Sequence, residues 1–189
     1  MERKAMERIG SEKESEGQYP IQDSEIESSF KYEIAQYPGG EGLLSCIKCG
    51  ACSGGCPVAA VTNYRPRKIL GSALLGLKEH VLSSDDIWMC AACFTCEEHC
   101  IQQVNFTDVI TVLRNIAVQN NNAAPGYVEM AYRVLQHGRV SSRSKHVDAL
   151  REKLGLPALQ EPDTECVRKI MDASGFSKLL NSLRGESKE

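Results

Sequence analysis

A chain of 189 residues, 42% of them hydrophobic and 6% aromatic, has room for one ordinary domain with extensions, and too few aromatic residues to build a core from them alone. Its net charge of −3 comes from 22 Lys and Arg against 25 Asp and Glu, and no stretch combines clustered basic residues with aromatics, which argues against a nucleic-acid partner. No run reaches the roughly 18 consecutive apolar residues of a membrane-spanning helix, so direct membrane insertion is not expected either.

Residues 1–22 are Glu, Lys, Ser and Gly with scarcely an apolar side chain, and predict a flexible acidic N-terminal arm. A helical domain is expected over 23–138, followed by a C-terminal extension over 139–189. Ile26, Phe30, Tyr32, Ile34 and Ala35 predict a short helix between Asp23 and Tyr37, ended by Pro38-Gly39-Gly40. A first cysteine run, Cys46-Ile-Lys-Cys49-Gly-Ala-Cys52-Ser-Gly-Gly-Cys56, is followed by Pro57, which turns the chain away. Ile69, Leu70, Ala73, Leu74, Leu77 and Val81 then recur at helical spacing, predicting one helix from Pro66 to about His80, with Gly71 and Gly76 as points of close packing. Ser83-Ser84-Asp85-Asp86 caps a short helix from Ile87 to about Ala91. That helix feeds the second run, Cys90-Ala-Ala-Cys93-Phe-Thr-Cys96-Glu-Glu-His-Cys100.

Beyond it, Thr107-Asp108 opens a helix with Val109, Ile110, Val112, Leu113, Ile116 and Ala117 on one face, stopped by the Asn run before Ala123. Pro125-Gly126 starts another that ends at Gly138. Arg139 to Lys145 is basic and Ser-rich and reads as a loop or the start of a tail. Val147–Leu154, Thr164–Ala173 and Phe176–Leu183 each predict a short amphipathic helix. Helices this short have little stability alone, so they either dock onto another subunit or pack back on their own domain.

Both cysteine runs read C-x2-C-x2-C-x3-C, the spacing in which three thiolates wrap one side of a [4Fe–4S] cubane and the fourth reaches a second cluster. Two copies predict two [4Fe–4S] clusters with crossed ligation. The first would be held by Cys46, Cys49, Cys52 and Cys100, the second by Cys90, Cys93, Cys96 and Cys56. The alternative, in which each run holds its own cluster, stays open at this level. Zinc sites favour two separated C-x2-C pairs, and a triple step wraps one tetrahedral ion poorly. The 33 residues between Cys56 and Cys90 read as helix, turn, helix, which favours an α-helical ferredoxin domain over a strand-rich one. Ile47, Ala91, Phe94 and Ile101 are the apolar candidates for shielding clusters.

Fully cysteine-ligated cubanes leave no open iron for a substrate, which points to an electron relay without a catalytic site. His99, beside Cys100, is expected at the surface, and Cys166 is a lone thiol outside both runs. His80, His137 and His146 have no acid or nucleophile spaced for catalysis, and no phosphate loop or dinucleotide fingerprint occurs. Thiolate metal motifs and the absence of an apolar leader after Met1 place the expected protein in a reducing cytoplasm.

Two such runs with a helical link, Arg65-Pro-Arg-Lys-Ile-Leu followed by Leu74-Leu-Gly-Leu-Lys, and above all Trp88-Met-Cys-Ala-Ala-Cys-Phe-Thr-Cys-Glu-Glu-His-Cys100, resemble the C subunit of heterodisulfide reductase from methanogenic archaea over residues 40–138. The resemblance implies a non-catalytic oxidoreductase subunit that works with the A and B subunits of that enzyme. It would carry electrons from the A subunit, which holds flavin and iron–sulfur groups, to the B subunit, where noncubane clusters cleave the disulfide of coenzyme M and coenzyme B. It further implies a larger assembly with a hydrogenase or a formate dehydrogenase. The eight cysteines transfer position by position; Ile101 departs from the proline that often follows the fourth cysteine, which puts the turn there in question. The cysteine pattern itself also fits a free ferredoxin-like carrier or the iron–sulfur subunit of a quinone-linked oxidoreductase.

Overall fold

The computed structural model describes residues 21–141 and 143–184, so the arm expected over 1–22 lies, but for its last two residues, outside them. Every regular element among the described residues is helical. The order is α1 (Phe30–Ala35), α2 (Ala51–Gly54), α3 (Pro57–Val61), α4 (Pro66–Leu75), α5 (Lys78–Leu82), α6 (Thr95–Glu98), α7 (Phe106–Gln119), α8 (Pro125–His137), α9 (Lys145–Lys153), α10 (Thr164–Ala173) and α11 (Phe176–Leu183). Short 3-10 turns occupy Asp23–Glu25, Glu41–Ser45 and Asp85–Trp88.

Helix α7 is the axis of the core. Its apolar side chains fall at helical spacing, and Val109, Ile110, Leu113, Ile116 and Ala117 are at most 1% exposed. Each large aliphatic group buried this way contributes about 1.5–3 kcal/mol. They pack with Phe30 and Ile34 of α1, Leu43 of the 3-10 turn before the first cysteine run, Ile69, Leu70 and Ala73 of α4, and Val81 and Leu82 of α5. The core therefore sits directly behind the two cysteine runs, and Cys46, Cys52, Cys56, Cys90, Cys96 and Cys100 are packed into or against it.

The single helix expected from Pro66 to about His80 is broken. Gly76 adopts φ +85° and closes α4, and Leu77 leads into α5. The break has a packing cause: the Gly76 carbonyl accepts from the Glu27 N–H at 2.8 Å, and a Cβ on Gly76 would stand 2.4 Å from the Glu27 carbonyl oxygen. The apolar stripe continues across the break because Val81 and Leu82 are both buried, which is why periodicity alone did not reveal it. The helix expected from Ile87 to about Ala91 is instead the 3-10 turn Asp85–Trp88, with Ser84 capping it by accepting from the Asp86 N–H at 3.1 Å. Lys78 fastens α5 to α1 through Glu33 at 2.8 Å.

Helices α10 and α11 pack on each other and both pack on α8, burying Met171 and Leu180. The basic stretch from Arg139 is a clamp: Arg139 donates to the Gln160 carbonyl at 2.8 Å, and Arg143 pairs with Asp148 at 2.7 Å and with Glu161. No helix among the described residues is long and apolar enough to cross a membrane.

Because an L side chain in the left-handed region costs about 1–2 kcal/mol before any clash, Gly76→Ala is expected to lower stability by at least that much. Chemical denaturation of the cluster-loaded chain checks it, and an unchanged midpoint would show that the contact of Gly76 with Glu27 tolerates a Cβ.

Candidate iron–sulfur site

The two cysteine runs fold as near copies of each other. Two residues after the first cysteine of each, Lys48 and Ala92 take left-handed backbone with φ +57° and +49°. Their N–H groups thereby turn back toward sulfur, Lys48 donating to Cys46 Sγ and Ala92 to Cys90 Sγ, each at 3.4 Å. Two residues further on, Gly50 at φ +94° and Phe94 at φ +62° are again left-handed, and each begins a one-turn helix, α2 or α6, that carries Cys52 or Cys96. Left-handed backbone at Lys48, Ala92 and Phe94 is unfavourable for residues with a Cβ. At Lys48 and Ala92 that twist aims an amide at sulfur, and at Phe94 it opens the turn of helix that carries Cys96.

The runs part company at their fourth cysteines. After Cys56, Pro57 sits at the first position of α3. After Cys100, which Ile101 follows, a tight turn closes with the Gln103 N–H on the Cys100 carbonyl at 3.0 Å, and the Val104 N–H reaches Cys100 Sγ at 3.3 Å. Ile101 projects outward, 73% exposed, so it shields neither group of thiols.

Two recesses gather the thiols. Cys46, Cys49, Cys52 and Cys100 line the first, with Ile47, Leu70 and Val104 as apolar wall. Cys56, Cys90, Cys93 and Cys96 line the second, with Val58, Tyr64, Pro66, Ala91 and Phe94. Cys96 and Phe106 belong to both, forming a common wall. Among the described residues no three His, Cys, Asp or Glu side chains converge as a single bound ion requires. Four thiols spread round an apolar recess, with amide donors aimed at sulfur, fit the larger anionic iron–sulfur group.

Burial divides the ligand candidates. Cys49 and Cys93 are exposed, each at the mouth of its recess, whereas Cys96 is buried. Burial, reinforced by the charge of Cys90, pushes the Cys96 thiol up to about 12. Burial also raises Cys52, against the hydrogen bond from Ser53. Cys93 is lowered, first by its contact with the Thr95 hydroxyl. Iron, when bound, would hold the buried thiols as thiolates against that burial.

One residue with no cysteine near it in sequence holds the second run in place. Arg114 of α7 donates from Nε to the Ile87 carbonyl at 2.8 Å and from its terminal nitrogen to the Cys90 carbonyl at 2.9 Å. Its guanidinium also lies over the Trp88 and Tyr127 rings, which stack with centroids 5.1 Å apart. Trp88 is thus a packing residue that stiffens the approach to Cys90. His99 is exposed and covers Gly55, where a Cβ would stand 2.4 Å from His99 Nδ1. Cys166 is exposed and lines neither recess.

A family model described as a 4Fe–4S dicluster domain matches residues 42–104, a span that contains both cysteine runs. The chain is 42% identical over 144 residues to the second iron–sulfur C subunit (C 2) of the CoB–CoM heterodisulfide reductase of Methanocaldococcus jannaschii, covering 73% of this chain and 77% of that protein. The chain belongs to the family of heterodisulfide reductase iron–sulfur C subunits. It is also 34% identical over 166 residues to the C subunit of the H2:CoB–CoM heterodisulfide,ferredoxin reductase of Methanothermobacter marburgensis, covering 85% of this chain and 89% of that one. With the iron–sulfur C subunit of the Methanopyrus kandleri CoB–CoM heterodisulfide reductase the identity is 32% over 144 residues, 73% of this chain and 75% of the relative. As a heterodisulfide reductase C subunit, this chain is an oxidoreductase component with a helical ferredoxin-type domain and two [4Fe–4S] clusters.

Arg114→Ala leaves two carbonyls without their charged donor, hydrogen bonds worth about 1.5–3 kcal/mol each. The expected result is faster loss of one cluster than the other under chelator challenge, followed by visible absorbance and iron release. Arg114→Lys should not restore it, because an ammonium lacks the planar fork that spans both carbonyls. Equal, wild-type release rates for both clusters would remove Arg114 from this role.

Proposed function

We propose that this chain is the two-cluster electron relay of a cytoplasmic heterodisulfide reductase, receiving electrons from a flavin-bearing A subunit and passing them to the B subunit, which reduces the coenzyme M–coenzyme B heterodisulfide. It carries no substrate site of its own. Cys46, Cys49, Cys52 and Cys100 hold the first cluster, and Cys90, Cys93, Cys96 and Cys56 hold the second. What supports the crossing is the placement of each fourth cysteine, Cys100 lining the recess of the first run and Cys56 that of the second.

The observation that carries the relay reading is the pair of recesses with one common wall and two separate mouths. The exits are chemically unlike. Around Cys49 stand the exposed cations Lys48, Arg65, Arg67 and Lys68. Around Cys93 stand exposed Ala91, Ala92 and Phe94. A diffusible carrier needs one exit, whereas a relay held between two different partners needs two that each partner can tell apart. The C-terminal extension supplies a further contact surface, since Val147, Leu150 and Leu154 of α9 and its end are 42%, 49% and 65% exposed. The name of the Methanothermobacter marburgensis relative joins H2 to the heterodisulfide and ferredoxin. That favours a larger assembly with a hydrogenase, or with a formate dehydrogenase in its place.

Anaerobically reconstituted chain should hold about eight irons and eight acid-labile sulfides, the content of two cubanes; stoichiometric zinc would contradict this. Cys100→Ser should alter the cluster of Cys46, Cys49 and Cys52, and damage confined to the cluster of Cys90, Cys93 and Cys96 would overturn the crossing. Purification from the native cell should bring a partner with noncubane clusters along with the chain, and recovery as a lone monomer would count against the relay.

A further inference from the structure

The second recess holds two hydroxyl groups that the protein itself does not use. Tyr64 is 1% exposed and Thr107 is 7% exposed, and both line that recess. Neither Tyr64 Oη nor Thr107 Oγ1 has a hydrogen-bond partner. The Cys90 thiol is near enough to Tyr64 to hold its phenol proton more tightly, after burial the next largest influence, but it does not stand in good hydrogen-bonding geometry. A buried hydroxyl left without a partner costs about 1–3 kcal/mol, so two of them opening on one recess call for an acceptor there. Nothing equivalent faces the first recess, whose polar side chains, Lys48, Arg67 and Gln102, are all exposed.

We propose that the Tyr64 and Thr107 hydroxyls donate hydrogen bonds to sulfur atoms of the second cluster, Tyr64 beside Cys90, and hold its reduction potential above that of the first. The inference rests on the ligand assignment proposed above. A donor to sulfur stabilises the reduced state more than the oxidised one, because reduction adds negative charge to the cluster. The other donors differ by one, since the Val104 N–H reaches Cys100 Sγ at 3.3 Å in the first recess, a single amide against the two hydroxyls of the second. Each run offers an amide to its first cysteine at 3.4 Å. Each also has one hydroxyl against a later one, Ser53 at Cys52 and Thr95 at Cys93.

The exposed cations at the first mouth also favour the reduced state there, but water and salt screen them, whereas the two buried hydroxyls act where screening is weak. With the first cluster as donor and the second as acceptor, an electron would move down that step in potential, oxidising the one and reducing the other, with no bond broken and no proton moved. Tyr64 and Thr107 are positioning and tuning residues, and the direction of flow toward the Cys93 exit is what they set.

The test is a redox titration of the full-length, cluster-loaded chain followed by electron paramagnetic resonance, in wild type, Tyr64→Phe and Thr107→Val. Cys93→Ser and Cys49→Ser identify which signal belongs to which recess. Each hydroxyl deletion should lower the second midpoint by about 59 mV, a tenfold change in the reduced-to-oxidised ratio of a one-electron couple, and leave the first in place. Iron and sulfide content should stay at the wild-type level in both variants. Unmoved midpoints, equal shifts in both clusters, or a first cluster of higher potential in wild type would overturn the proposal. If Cys93→Ser and Cys49→Ser fail to mark separate clusters, it is the ligand assignment that has failed.

Discussion

Cys96 and Phe106 form one wall between two thiol recesses, and the packing behind that wall fixes how the recesses stand. Phe106 is the first residue of α7, 2% exposed, and α7 continues from it into the most deeply buried face of the protein. Cys96 rides on α6, which packs against both α7 and α2. Displacing this wall would move both groups of sulfurs at once. Clusters seated in the two recesses, as proposed, would stand on either side of that one wall, and exchange between them would need no conformational step.

The same wall explains why so much of the chain is scaffold. Helices α1, α4 and α5 contribute no thiol; they bury the back of α7 and hold the 3-10 turn that precedes Cys46. From a half-buried position on α7, Arg114 reaches across to the backbone at Ile87 and Cys90. The first run is thus seated from its N-terminal side, by Leu43 in the core, and the second by a guanidinium from the helix that follows it. Thiols exposed at the mouths, Cys49 and Cys93, mark where each recess meets its surroundings.

The eight-cysteine pattern and the helical link could be read directly, because ligand spacing and a 3.6-residue period are written in residue type. The bounds of α10 and α11 were equally legible, since the short amphipathic stripes Thr164–Ala173 and Phe176–Leu183 are the helices found. Left-handed backbone at Lys48, Ala92 and Phe94 left no such trace, since only glycine advertises a positive φ. The break at Gly76 was hidden because the stripe stays in phase across it. Arg114 lies 24 residues from Cys90, and nothing in the sequence separates it from any other helix arginine. Tyr64 carries no mark in the sequence, because its place among the thiols of the second recess depends on how α3 and α4 are joined. Arg139 and Arg143 do lie in the expected loop, and what the sequence did not show is that they clamp the segment that precedes α10.

A shared wall makes a magnetic claim as well as an electrical one, since two paramagnetic clusters on either side of one side-chain layer must sense each other's spin. The most direct measurement is electron paramagnetic resonance of the full chain, taken from one-electron to two-electron reduction. The spectrum of the fully reduced protein should be broadened and split by spin–spin interaction, and adding two separate signals should not reproduce it. A fully reduced spectrum equal to the simple sum of two isolated clusters would contradict it.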